Sequence, residues 1–169
     1  MTYLPQFFPS YWSDDNQVFG IQFTDEINIG FVIREDGGYS YLLKDDFKNL
    51  NIKANSLLTL AIKNLDNELE NCDIKEYKLK GGSLVFWNSE KDNFTAVRIL
   101  STKYSSILKN IFSEDFSFSI PDRDLITCWQ STDKEEIEKF TNETIEDFND
   151  SDYGLSDRIY QYSKIRLAK

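Results

Sequence analysis

Asp122, Arg123 and Asp124 stand side by side after Pro121. Two carboxylates flanking a guanidinium have the makings of an acid–base pair with a substrate anchor. The same residues also make a good turn. Pro121 sets φ for the first corner, aspartates accept hydrogen bonds from nearby amides, and Arg123 is their counter-charge. The turn is the stronger reading, because nothing else in the chain completes a catalytic set. The sequence contains no histidine. That removes the commonest general base, the commonest metal ligand and every Ser-His or Cys-His nucleophile pair. Asp122 and Asp124 start no ordered ligand series, so no metal site is expected. Gly37-Gly38 is followed by no helix start and reads as a turn rather than a phosphate cradle. No catalytic residue and no cofactor is therefore assigned.

The second candidate is a charged face. Residues 113–157 hold 14 acidic and 3 basic side chains, a net −11, while the rest of the chain is near neutral and the whole is −10. Within this region Glu136, Glu143, Asp147 and Asp150 fall in a sector of about 60° on a helix, beside its apolar stripe. Almost no lysine interleaves, so pairing along the helix returns little. Such a field repels nucleic acid and anionic membranes and attracts a basic protein. The expected partner-binding set is Glu136, Glu143, Asp147 and Asp150, with Asp122 and Asp124 extending it.

Two further features are better explained by structure. Arg98 lies among Val97, Ile99 and Leu100 and points to internal charge pairing rather than substrate binding. Residues 1–16 are aromatic and interrupted by proline, and read as an irregular arm. Its Phe7, Phe8, Tyr11 and Trp12 are expected to pack over a sheet; an exposed docking arm, as in a structural adaptor, is the lesser reading.

These residues need a frame. Residues 18–24, 27–34 and 39–43 alternate or run apolar between turn signals, and predict a three-stranded meander. Gly20 and Gly30 inside those strands mark bulges or close backbone approach. Leu57, Leu58, Ala61, Leu65 and Leu69 recur at helical spacing over 54–70. A hairpin follows over 74–80 and 83–88 around Gly81-Gly82. Residues 93–112 fit one helix, capped by Asp92 or Asn93, or two helices broken at Ser101-Thr102. Phe116, Phe118 and Ile120 alternate with serines, and Leu125 to Trp129 is nearly all apolar, which predicts a central hairpin. Thr132 with Glu135 makes a capping box for the last helix. That helix buries Ile137, Phe140, Thr144, Ile145 and Phe148, and residues 158–165 close the chain as a strand.

The fold class is therefore α+β: a single domain over 1–169, with a largely antiparallel sheet and about three helices packed mainly on one face. No apolar run is long enough for a membrane span, and the N-terminus lacks the basic start of a signal peptide. The expected location is cytoplasmic, with Cys72 and Cys128 reduced.

Three segments carry a family resemblance: Gly38-Tyr39-Ser40-Tyr41-Leu42-Leu43 before a helix ending Ala61-Ile62-Lys63-Asn64-Leu65; Asp92-Asn93-Phe94-Thr95-Ala96-Val97-Arg98-Ile99-Leu100; and Phe118-Ser119-Ile120-Pro121-Asp122-Arg123-Asp124-Leu125. In order and spacing, residues 39–167 resemble the uncharacterised bacterial YtpQ-like family, a domain of unknown function. The first 35 residues have no counterpart there. The resemblance implies an α+β cytoplasmic domain and brings no activity or catalytic residues with it.

The expectation from all this is a non-enzymatic acidic binding protein of the immunity or antitoxin type, neutralising a basic protein such as a secreted nuclease toxin. The alternative is a carboxylate-dependent enzyme built on Asp122-Arg123-Asp124, which requires both aspartates to line one concave site.

Overall fold

The computed structural model describes residues 2–68, 74–87, 93–112 and 115–165. The fold is α+β, with nine strands in two antiparallel sheets and three helices longer than two turns among the described residues. Cys72, Asp92 and the ends expected at 69–70 and 88 lie outside the described residues.

The first sheet is built around β3 (Ile27–Glu35), whose Ile27, Ile29, Phe31 and Val32 are fully buried. β1 (Tyr3–Pro9) runs antiparallel along one edge of β3, from Tyr3 opposite Ile33 to Pro9 opposite Ile27. β2 (Gly20–Gln22) and β4 (Gly38–Tyr41) share the other edge. Here the irregular arm expected over residues 1–16 is corrected. Tyr3 to Phe8 form a buried strand, followed by the short helix α1 (Trp12–Asp15). Pro5 and Pro9 argued against a strand, yet β1 is an edge strand, where a proline leaves no ladder bond unmade. The buried Gln6 side chain accepts from the Phe7 amide. Gly20 lies opposite Gly30, and a Cβ on Gly20 would come within 2.6 Å of the Phe8 ring. The paired glycines clear a place for that ring on the sheet face.

After the short α2 (Lys44–Asn49), helix α3 (Ala54–Glu68) packs its Leu57, Leu58, Ala61 and Leu65 stripe inward, lying against β1. The hairpin β5 (Ile74–Lys78) and β6 (Gly82–Trp87) opens the second sheet. Of the two readings of 93–112, the broken one holds. A 3-10 helix, Ala96–Leu100, ends at Ser101 in extended conformation, and α4 (Thr102–Phe112) restarts from it. Ser101 accepts the Tyr104 amide at 3.4 Å and donates to Asp66 of α3, so a polar link fixes the break.

β7 (Ser117–Asp122) and β8 (Leu125–Ser131) form the expected hairpin, and β8 is central in the order β5-β6-β8-β7-β9. β9 is short (Ile159–Gln161) and passes into a 3-10 turn at Tyr162–Lys164, where a longer strand was expected. α5 (Lys134–Asp150) packs on β7 and β8. One apolar core joins the two sheets, for instance where Phe23 approaches Phe118 at 6.1 Å between ring centres. Cys128 is buried in β8, and burial pushes its thiol well above the ordinary range. Among the described residues no helix is long and apolar enough to cross a membrane.

Two expectations for α5 change. Its N-cap is Asp133, not Thr132: the Asp133 carboxylate accepts the amides of Glu135 and Glu136 at 3.0 and 3.3 Å. Its buried stripe is also narrower than its pattern. Phe140 and Thr144 are buried, but Ile137 and Ile145 are 41% and 39% exposed.

Candidate functional site

The Pro121–Asp124 corner is held from three sides. Asp124 donates its amide to Asp122 Oδ1 at 2.6 Å, closing the local turn. Ser151, just past α5, donates to Asp122 Oδ2, and Leu155 donates its amide to the Pro121 carbonyl at 2.8 Å. Ala96, from the 3-10 helix, donates to the Arg123 carbonyl at 3.1 Å. The corner is thus a junction between the hairpin, the end of α5 and the segment before α4. Asp122, expected in the partner-binding set, is tied into the corner on both oxygens.

Arg123 engages two tyrosines besides Asp124. Its Nη1 donates to the Tyr39 hydroxyl at 2.8 Å, its Nε reaches Asp124 at 3.4 Å, and its guanidinium lies 3.7 Å from the Tyr153 ring centre. Stacking on a ring and bonding in plane hold an arginine without fully neutralising it. The side chain is 21% exposed and lines a cleft of about 610 Å³. Trp12 and Tyr41 meet edge to face on one side at 5.5 Å, with Phe8 behind them. Tyr39, Arg123 and Tyr153 make another side, and Asp152 is the carboxylate of the lining. Burial first, then the neighbouring Tyr39, pushes the Tyr41 phenol far up, so it stays neutral. Neither Asp122 nor Asp124 lines this cleft.

The acidic helix divides into two parts. Glu136 at its start is enclosed by bonds. It accepts the Lys80 amide at 2.9 Å, the Gly81 amide at 3.3 Å and the Ser131 hydroxyl. It anchors the β5–β6 turn to the head of α5, a structural role beside the partner-binding one expected of it. Asp133 adds an ion pair with Lys80 at 2.9 Å. Lys80 first, then the amides, holds the Asp133 carboxyl below its ordinary value. Glu143, Glu146, Asp147 and Asp150, in contrast, are exposed, with Lys139 reaching Glu143 at 3.6 Å. Partial burial, then repulsion from Glu143, Glu146 and Asp150, pushes Asp147 up. Asp124, 40% exposed, stays with Arg123.

Arg98 is only 2% exposed, inside the 3-10 helix, where an internal role was expected. Among the described residues no group of three or more acidic or cysteine side chains is placed to hold a metal. Searches against protein-family models, curated proteins and solved structures found no match.

Sequence reasoning brought Arg123 forward but missed its surroundings. Tyr39 and Tyr41 looked like ordinary strand residues, and Tyr153 like part of a connection. The available signal was Asp152-Tyr153-Gly154, a large aromatic in a polar loop, which is 56% exposed in the fold.

Proposed function

We propose that this is a non-catalytic binding protein of the immunity or antitoxin type, which blocks a basic protein such as a nuclease toxin through the exposed acidic face on the C-terminal half of α5. The observation that supports it is the state of Glu143, Glu146, Asp147 and Asp150. They crowd one exposed face, Lys139 answers them among the described residues, and Asp147 is pushed up by partial burial and then by their repulsion. The α5 C-terminus is already the negative end of the helix dipole, and its last turn has no basic residue. This arrangement costs stability in the free protein, and a basic partner relieves the cost. Complementary charge speeds encounter and makes the rate fall with salt.

The test is coexpression with a basic toxin, followed by binding kinetics over a salt series. The wild-type chain restores growth. Glu143→Lys with Asp147→Lys slows association by about tenfold or more and flattens its salt dependence. An unchanged rate and salt slope in the double variant would remove α5 as the docking face.

A further inference from the structure

The cleft between the first sheet and the Pro121–Asp124 corner has a chemistry of its own, separate from the acidic face of α5. Among the described residues its one lining cation is Arg123. That guanidinium is pre-positioned, stacked 3.7 Å from the Tyr153 ring centre and bonded at 2.8 Å to the Tyr39 hydroxyl. Its Nη2 has no acceptor among the described residues, and the same is true of the Trp12 indole N–H. An arginine placed in this way presents two N–H groups in a plane, which suits a carboxylate or a phosphate oxygen. The walls around it are aromatic: Trp12, Tyr39, Tyr41 and the exposed Tyr153. Rings stack on rings, and a volume of about 610 Å³ lies within the range of small-molecule sites. Asp152 in the lining and the net charge of −10 disfavour a polyanion.

From this juxtaposition we infer that the cleft is a binding site for a small aromatic anion, a planar ring bearing one carboxylate or phosphate group. The anion meets Arg123 and the Trp12 N–H, and the ring lies among Trp12, Tyr41 and Tyr153. The site was not visible in the sequence because its walls come from residues 7–9, 11–12, 38–39, 41, 93, 123 and 152–155, which only the fold brings together.

Amide-shift titration of the full-length ¹⁵N-labelled protein tests it, with benzoate, phenyl phosphate, phenol, inorganic phosphate and phenyltrimethylammonium as probes. Benzoate or phenyl phosphate is expected to move the signals of Trp12, Tyr39, Arg123 and Tyr153 saturably, and the tighter of the two identifies the anion. Phenol, which lacks the charge, and phosphate, which lacks the ring, bind at least about tenfold more weakly. Arg123→Gln weakens the aromatic anion by about tenfold or more. Should that variant unfold, Tyr153→Ala, at an exposed loop residue, weakens it severalfold in its place. Glu143→Lys with Asp147→Lys leaves it unchanged, so this site and the α5 face stand or fall separately. Absence of saturation by both anions, tighter binding of phenyltrimethylammonium, wild-type affinity in folded Arg123→Gln and Tyr153→Ala proteins, or loss of binding in the α5 variant would each overturn the assignment.

Discussion

The two ends of α5 carry the same kind of residue and use it in opposite ways. At the head, Asp133 caps the helix, and Glu136 takes two amides and a hydroxyl from the β5–β6 turn and β8. Negative charge there also meets the positive end of the helix dipole. At the tail, Glu146, Asp147 and Asp150 face one another and the negative end of the same dipole. One set of carboxylates holds the fold together, and the other weakens it. Equal counts of acidic residues therefore say nothing about which of them are available to a partner. What decides is whether backbone amides point at them, and that depends on neighbours far away in sequence.

The contrast can be broken most severely at Gly82, which opens β6 just after the turn that the α5 head grips. A Cβ there would sit 1.8 Å from the Gln130 carbonyl oxygen, a backbone atom that cannot yield without parting β6 from β8. Gly82→Ala should destabilise by about 3 kcal/mol or more, read from urea unfolding midpoints. A wild-type midpoint would mean the turn is not pressed against β8.

Glu136→Ala comes next. Losing an acceptor for three donors should cost about 1–3 kcal/mol, whereas Glu143→Ala should stay within about 0.5 kcal/mol of wild type. Similar losses from both would erase the distinction between head and tail.

Asp147→Asn should go the other way, stabilising by about 0.5 kcal/mol as repulsion and the dipole penalty fall. If thermal melts show it to be destabilising, the tail is not strained.

The smallest effect is in pH dependence, and its sign differs between the ends. The Asp133 carboxyl is held down in the fold, so its contribution is present above the unfolded value and lost as pH falls through the folded one. The Asp147 carboxyl is raised, so its contribution is present below the unfolded value and lost as pH rises through the folded one. Stability curves across the acid range should lose part of their low-pH decline in Asp133→Asn and part of their decline on raising pH in Asp147→Asn. The same change in both variants would contradict the assignment.

Much of the fold was legible because its signals are local. The alternation of Phe116, Phe118 and Ile120 marks β7, and the run from Leu125 to Trp129 marks a strand covered on both sides. The α3 stripe of Leu57, Leu58, Ala61 and Leu65 points inward as its spacing requires. β1 was not legible, because two prolines look like breaks until one knows that the strand lies at an edge. The α5 stripe was read too wide. Ile137 and Ile145 share its pattern but stay partly exposed.

By itself the sequence determined the α+β class, most of the elements, the concentration of charge in the last third and the absence of histidine chemistry. These follow from composition and from periodicity within single segments, where each residue's neighbours are its chain neighbours. The tertiary structure alone decided the division into two sheets, which carboxylates are bound and which are idle, and the aromatic cleft around Arg123. Each of these depends on contacts across the chain, such as Tyr39 with Arg123 and Lys80 with Glu136. A hydrogen bond or a ring contact is made in space, and no local pattern of residues encodes which distant group will supply it.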